Sequence, residues 1–181
     1  IMSRAGVEPV VIPDGVKVQF SQESRVLVVD GPKGVQSVSV SDGLVCNICD
    51  DKVTISLEDE APRSKVLWGT CRRNLQNAVI GVSKHFVAVL DIVGVGFKSE
   101  CKGSYLVLSL GFSHNVFYRI PVDLEIKVPK PNQIVIAGVS KQKVFMVASD
   151  LCRIRKYDPY KGKGVILKGS FALRKEANKK K

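Results

Sequence analysis

At 181 residues and 45% apolar side chains, the chain has material for one large packed domain or two small ones. No uninterrupted apolar run is long enough for a spanning helix, and the opening "IMSRAGVEPVVIPDG" lacks the apolar centre of a secretory signal. A soluble, non-secreted protein is therefore expected. Ile1 ahead of the start-like "MSR" is compatible with trimming of a precursor or with an upstream start, and with either a bacterial cytosol or an organelle matrix.

The formal net charge is +11, and its location is informative. Residues 1–90 hold ten Lys/Arg and ten Asp/Glu, whereas residues 91–181 hold eighteen and seven. From Ser140 onward thirteen basic residues face three acidic ones, which concentrates the excess in the last part of the chain. Such a surface suits a polyanionic partner.

In chain order, "VKVQF" (16–20), "RVLVVDG" (25–31), "VQSVSV" (35–40), "LVCNIC" (44–49) and "KVTISL" (52–57) predict strands, with "GPKG" and "DDK" as turns. The period then changes. Across "APRSKVLWGTCRRNLQNAVIGVSKHF", Leu67, Cys71, Leu75, Val79, Val82 and Phe86 recur every three or four positions and predict one helix face. Pro62 suits its first turn and Gly81 lies toward its end.

The pattern recurs. "GVGFKSE" (94–100), "SYLVLSLG" (104–111), "NVFYRI" (115–120), "LEIKVP" (124–129) and "QIVIAG" (133–138) predict strands before a helix over 140–157. That helix has Val144, Val147, Leu151 and Ile154 as its apolar face and Ser140 as N-cap. Leu27 and Leu106 stand 79 positions apart, and Gly31/Gly111, Leu44/Leu124 and Ile55/Val135 stand 80 apart. The expected fold class is α+β: two tandem duplicated domains, each an antiparallel sheet packed with a helix, at 1–84 and 85–175, followed by a basic tail at 176–181. The first, near-neutral copy is expected to be structural or to contact protein, and the second to grip the polyanion.

Cys46, Cys49, Cys71, Cys101 and Cys152 are an odd set in apolar surroundings, which argues for a reducing compartment and against a disulfide framework. "CNIC" has the spacing of half a zinc site, but no second pair accompanies it and His85 and His114 lie far away, so packing cysteines are the better reading. "GVGFKS" lacks the third glycine of a dinucleotide fingerprint, and "GKGVILKG" lacks the spacing and the Ser or Thr of a P-loop. Neither a nucleophile–base pair nor a metal set emerges, so no enzyme activity, cofactor or small-molecule substrate is expected.

The cations of "LCRIRKYDPYKGKGVILKGSFALRK" (151–175) alternate with apolar and aromatic residues, the pattern of ordered structure rather than of a solvated run. Arg153, Arg155, Lys156, Lys168, Arg174 and Lys175 join the "KGKG" residues Lys161, Gly162, Lys163 and Gly164 as candidate contacts to a polyanion. Tyr157 and Tyr160 suit either stacking on bases or local packing. Flanking lysines would neutralise phosphates while glycines let the backbone approach with free amides. A module for anionic membranes or acidic proteins is the alternative, but it calls for a basic amphipathic helix or an apolar patch rather than glycine turns.

"DPYKGKGV" (158–165) closely resembles the C-terminal signature of the large-subunit ribosomal protein conventionally numbered six, of bacterial and organellar type. In the same order "VEPVVIPDGVKV", "VDGPKG", "WGTCRRNLQNAVIGVSKHF", "IVGVGFK", "LSLGFSH" and "GVSKQKV" resemble further segments of that family, spanning almost the whole chain. The resemblance implies two α+β domains, no catalysis, and binding of large-subunit ribosomal RNA chiefly through the C-terminal domain. It also implies neighbouring ribosomal proteins, a place near the docking region of translation factors, and no membrane. The matching positions are Lys141, Gln142 and Lys143 before the second helix, and Tyr160, Lys161, Gly162, Lys163 and Gly164 in the signature. Tyr157 stands where bacterial members usually have proline, and Trp68 and Cys71 replace the more usual histidine and threonine.

Overall fold

The computed structural model describes residues 4–49, 51–58 and 62–176, so most of the basic tail, including Lys179 to Lys181, lies outside the described residues. Two compact units result: Ile1–His85 with Val139–Lys141, and Phe86–Gly138 with Gln142–Lys181. No described helix is long and apolar enough to cross a membrane.

The first series is α1 (Arg4–Val7), β1 (Val10–Val11), β2 (Lys17–Ser21), β3 (Val26–Gly31), β4 (Gly34–Ser39), β5 (Leu44–Cys49), β6 (Lys52–Leu57) and α2 (Pro62–Ser83). The second is β7 (Phe86–Val93), β8 (Lys98–Lys102), β9 (Tyr105–Ser109), β10 (Val116–Arg119), β11 (Leu124–Lys130), β12 (Gln133–Gly138), α3 (Lys141–Ile154) and β13 (Gly164–Leu167).

Pairing shows the duplication directly. Antiparallel β2-β3-β4 has its counterpart in β8-β9-β10, and β1-β6-β5 has its counterpart in β7-β12-β11. In the second copy β13 adds to the free side of β7, an extension the first copy lacks among the described residues. Each copy is α+β with its helix on the sheets, as the sequence pattern implied. In the first, Trp68, Cys71, Leu75, Ala78, Val79 and Val82 of α2 close a core with Leu27, Val29, Val53 and Ile55. In the second, Val144, Val147, Ala148 and Leu151 of α3 meet Leu90, Leu106, Leu108, Ile134 and Ile136. Helix residues at intervals of three and four and strand residues at intervals of two face the same interior, so apolar burial holds both elements in place.

Several expectations need correcting. Phe86 belongs to β7 and not to the face of α2, and Leu67 is only half-buried while Trp68 fills its place. The indole N–H of Trp68 donates to the Ile55 carbonyl at 2.7 Å, which satisfies the polar atom that its burial would otherwise strand. Residues 94–97 form a turn, with Gly94 and Gly96 at φ 155° and 76°, before β8 begins at Lys98. The α3 helix stops at Ile154 rather than 157, because the Arg155 carbonyl accepts from Val165 N–H at 3.0 Å and is drawn into a different pairing. Ile55 lies opposite Cys46, and its counterpart opposite Ile126 is Ile136, not Val135. A slip of one residue turns a strand side chain to the other face, so 81 positions is the true local offset.

Candidate nucleic-acid interface

The residues around "DPYKGKGV" fold into a closed loop between α3 and β13. Asp158 N–H donates to the Lys163 carbonyl at 2.8 Å, and Gly162 N–H donates to the Asp158 carbonyl at 2.7 Å. The Asp158 carboxylate accepts from Tyr160 N–H at 2.9 Å, an Asx-type turn that aspartate before proline favours. Gly162 sits at φ 66°, the left-handed region where a side chain would strain the turn. At Gly164, with φ 144°, a Cβ would lie 2.6 Å from Tyr157 Cα and 2.7 Å from the Lys156 carbonyl oxygen. That position admits only glycine, because backbone and not a movable side chain occupies the space.

One expectation is thereby corrected. The Gly162 amide is not free to donate to a ligand, since it closes the loop's own turn. The glycines build the frame, and the cations stand on it. Lys161 and Lys163 are exposed, and Tyr160 is 59% exposed and points away from the core, whereas Tyr157 is half-buried.

Neighbouring segments bring further cations to this end of the second unit. Arg153 lies in the last turn of α3 and Arg155 and Lys156 follow it, where the helix dipole favours positive charge. Lys175 N–H donates to the Pro159 carbonyl at 3.0 Å, which holds exposed Arg174 and Lys175 beside the loop. Exposed Lys168 follows β13, anchored by its N–H to the Val89 carbonyl at 2.8 Å.

Some of these cations already have intramolecular partners. Arg153 pairs with Asp150 at 3.5 Å, and the Arg155 guanidinium lies 5.0 Å from the centroid of the Phe112 ring, which stacks on His114. Lys143 pairs with Asp123, both exposed. Lys141, Gln142 and Lys143 are all exposed at the other end of α3, which spans about 20 Å at 1.5 Å per residue over its 14 residues. The candidate residues therefore form two groups: Lys141 to Lys143 at the start of α3, and the remainder around its end and the loop.

Phe112 and His114 are additions that sequence reasoning missed. They occupy the β9–β10 turn at "GFSH", where Gly111 at φ 75° and the Ser109 hydroxyl donating to Asn115 Oδ1 at 2.7 Å shape the loop. An aromatic following glycine in a turn was the available signal.

No group of three or more His, Cys, Asp or Glu able to hold a metal occurs among the described residues. All five cysteines are free thiols. Burial pushes Cys46 up from its ordinary 9.0 to about 11, and it also raises Cys71 and Cys152. These shifts run opposite to those that activate a nucleophilic thiol. Burial, helped by nearby Asp150, likewise raises Tyr118. The chemistry on display is cation and aromatic presentation.

Comparison with known proteins agrees with the duplication. The family described as "Ribosomal protein L6" matches twice, over residues 12–85 and 93–166. The chain is 42% identical to the large ribosomal subunit protein uL6 of Xanthobacter autotrophicus over 179 residues, covering 99% of this chain and 100% of that protein. It is 41% identical to the protein of the same name from Azorhizobium caulinodans, with the same coverage, and 38% identical to that of Novosphingobium aromaticivorans.

Proposed function

The chain belongs to the ribosomal protein L6 family, and from that membership we propose that it is a structural, non-catalytic constituent of the large ribosomal subunit. It binds large-subunit ribosomal RNA mainly through its second unit, among neighbouring ribosomal proteins and close to where translation factors dock. Its place is the ribosome, in a bacterial cytoplasm or an organelle matrix.

The observation that carries this reading is the loop at residues 158–164. Internal hydrogen bonds and two positive-φ glycines hold its backbone, while Lys161 and Lys163 project from it among Lys156, Lys168, Arg174 and Lys175. Rigidly held cations without a convergent pocket suit a folded phosphate backbone, which is recognised by shape. Crosslinking in cells, followed by identification of the attached RNA, tests it. Large-subunit ribosomal RNA is the expected product, and its absence would overturn the assignment.

A further inference from the structure

The outer face of the β8-β9-β10 sheet carries two exposed aromatic rings among cations. Cross-strand register aligns Lys102, Tyr105 and Arg119 in one row and Glu100, Val107 and Phe117 in the next. The alternate residues of the same strands, Leu106, Leu108 and Tyr118, face the core, so both rows face outward. Phe117 is 67% exposed and Tyr105 is 48% exposed, both high values for rings in paired strands. Val107 between them is only 9% exposed and lies outside the core cluster. Tyr105 and Phe117 are diagonal neighbours on this face, with backbones roughly 7–8 Å apart.

Lone exposed aromatics are ordinary on protein surfaces. Here the tyrosine stands between a lysine and an arginine, and the one acidic residue of the two rows, Glu100, is paired with Lys102 at 3.2 Å. The free charge on the patch is therefore positive. A ring face flanked by cations fits an unpaired nucleotide, whose base stacks while its phosphate is neutralised. A protein partner would also have to match the positive charge of Arg119 beside the ring, which a nucleotide phosphate does by itself.

We propose that this sheet face is a second RNA site, separate from the glycine-lysine loop, which takes two unpaired bases of a single-stranded segment on Tyr105 and Phe117. The inference rests on the RNA-binding reading above and adds the type of RNA feature recognised. The loop takes the backbone of folded RNA, and the sheet face takes splayed-out bases.

The test uses the full chain with a labelled single-stranded RNA of about ten nucleotides, within the usual site sizes of such surfaces, and with a hairpin of the same composition. Tyr105→Ala with Phe117→Ala should weaken single-strand binding by about tenfold or more and hairpin binding much less, since stacking is the main loss. Tyr105→Phe should keep the affinity. Because Trp68 is buried, a Phe117→Trp variant supplies a reporter whose fluorescence should be quenched by the single strand. The rings are exposed, so these variants should melt as the parent does.

Unchanged single-strand affinity in the double alanine variant would overturn the proposal, as would a Phe117→Trp fluorescence that the single strand leaves unquenched. Binding of large-subunit ribosomal RNA by that same variant separates the two readings. If it persists with single-strand affinity unchanged, only the sheet-face site falls; if the parent chain binds neither RNA, both fall.

Discussion

The two units share one architecture and differ in what is added to it. Both have a three-stranded antiparallel sheet, a second sheet built on the same strand order, and one long helix over a Leu, Ile and Val core. Among the described residues, only the second adds β13 and the closed loop that leads into it. Residues 1–90 hold ten cations against ten anions, and residues 91–181 hold eighteen against seven. A duplicated core thus supplies stability twice, while the recognition proposed above lies on the loop that precedes an edge strand, where exposed side chains are free of core packing. The comparison makes a claim about causes: position on the β13 extension matters more than charge alone.

The largest expected effect is that of ionic strength, which tests the charge side of the contrast. If the second unit neutralises roughly five to eight phosphates, affinity for large-subunit ribosomal RNA should fall by about 10² to 10⁴ between low and moderately high salt. A flat response in a titration would remove the polyanion from the explanation altogether.

Next in size is the frame of the loop. Gly164→Val puts a branched side chain where backbone atoms of Lys156 and Tyr157 already lie within 2.6 to 2.8 Å of a Cβ, at φ 144°. A loss of about 3 kcal/mol or more is expected. Hydrogen exchange should show it in β7 and β13 and leave the amides of α2 at their parental rates. Equal loosening of α2 would mean that the extension is not a separable addition to the second unit.

The charges on the frame come third. Lys161→Ala with Lys163→Ala should weaken RNA binding by about 1 to 3 kcal/mol, since each lysine lost removes a charge-assisted contact, while the melting temperature scarcely moves because exposed lysines contribute little to folding. Lys17→Ala with Lys52→Ala removes the same charge from exposed strand positions of the first unit and should cost less than about 0.5 kcal/mol of binding. Equal losses from the two pairs would make net charge the whole account.

Periodicity disclosed most of this fold and missed its functional edge for identifiable reasons. Helices α2 and α3 and most hairpin strands announce themselves through three-to-four and two-residue spacings. Strand β7 was hidden because "FVAVLDIV" runs apolar straight out of the helical pattern: its outward positions include Val87, Val89 and Val93, so the alternation in burial leaves little mark in residue type. Strand β13 was hidden because "GVIL" is four residues long and directly follows the glycine-lysine stretch, whose residues signal charge and turns rather than a strand. The loop lysines were legible from composition. That Gly162 spends its amide on Asp158, that Arg155 lies against Phe112, and that Tyr105 and Phe117 share a face were not, because each depends on pairing between residues distant in sequence or on a turn geometry that residue types alone do not fix.

The smallest expected effect sits in the first unit and is chemical. Cys46 and Cys49 lie on one strand three residues apart, yet burial raises Cys46 to about 11 while Cys49 is exposed. Cys49 and Cys101 are exposed, whereas burial shields Cys46, Cys71 and Cys152 and raises all three, so iodoacetamide should label the first two well before the other three. The same shift gives stability a pH limb of known sign. Below 9.0 both folded and unfolded chains keep the Cys46 proton; above it the unfolded chain ionises first, while the folded thiol holds on to about 11. The first unit should therefore lose stability as pH rises through that window, and Cys46→Ala should flatten the loss relative to the parent. Since the side chain is only half-buried, the difference should be a fraction of the ideal value, best read from hydrogen exchange in β5 and β6. If Cys46→Ala follows the parental curve throughout, the shift has no thermodynamic weight, and the contrast between the units rests on the β13 extension alone.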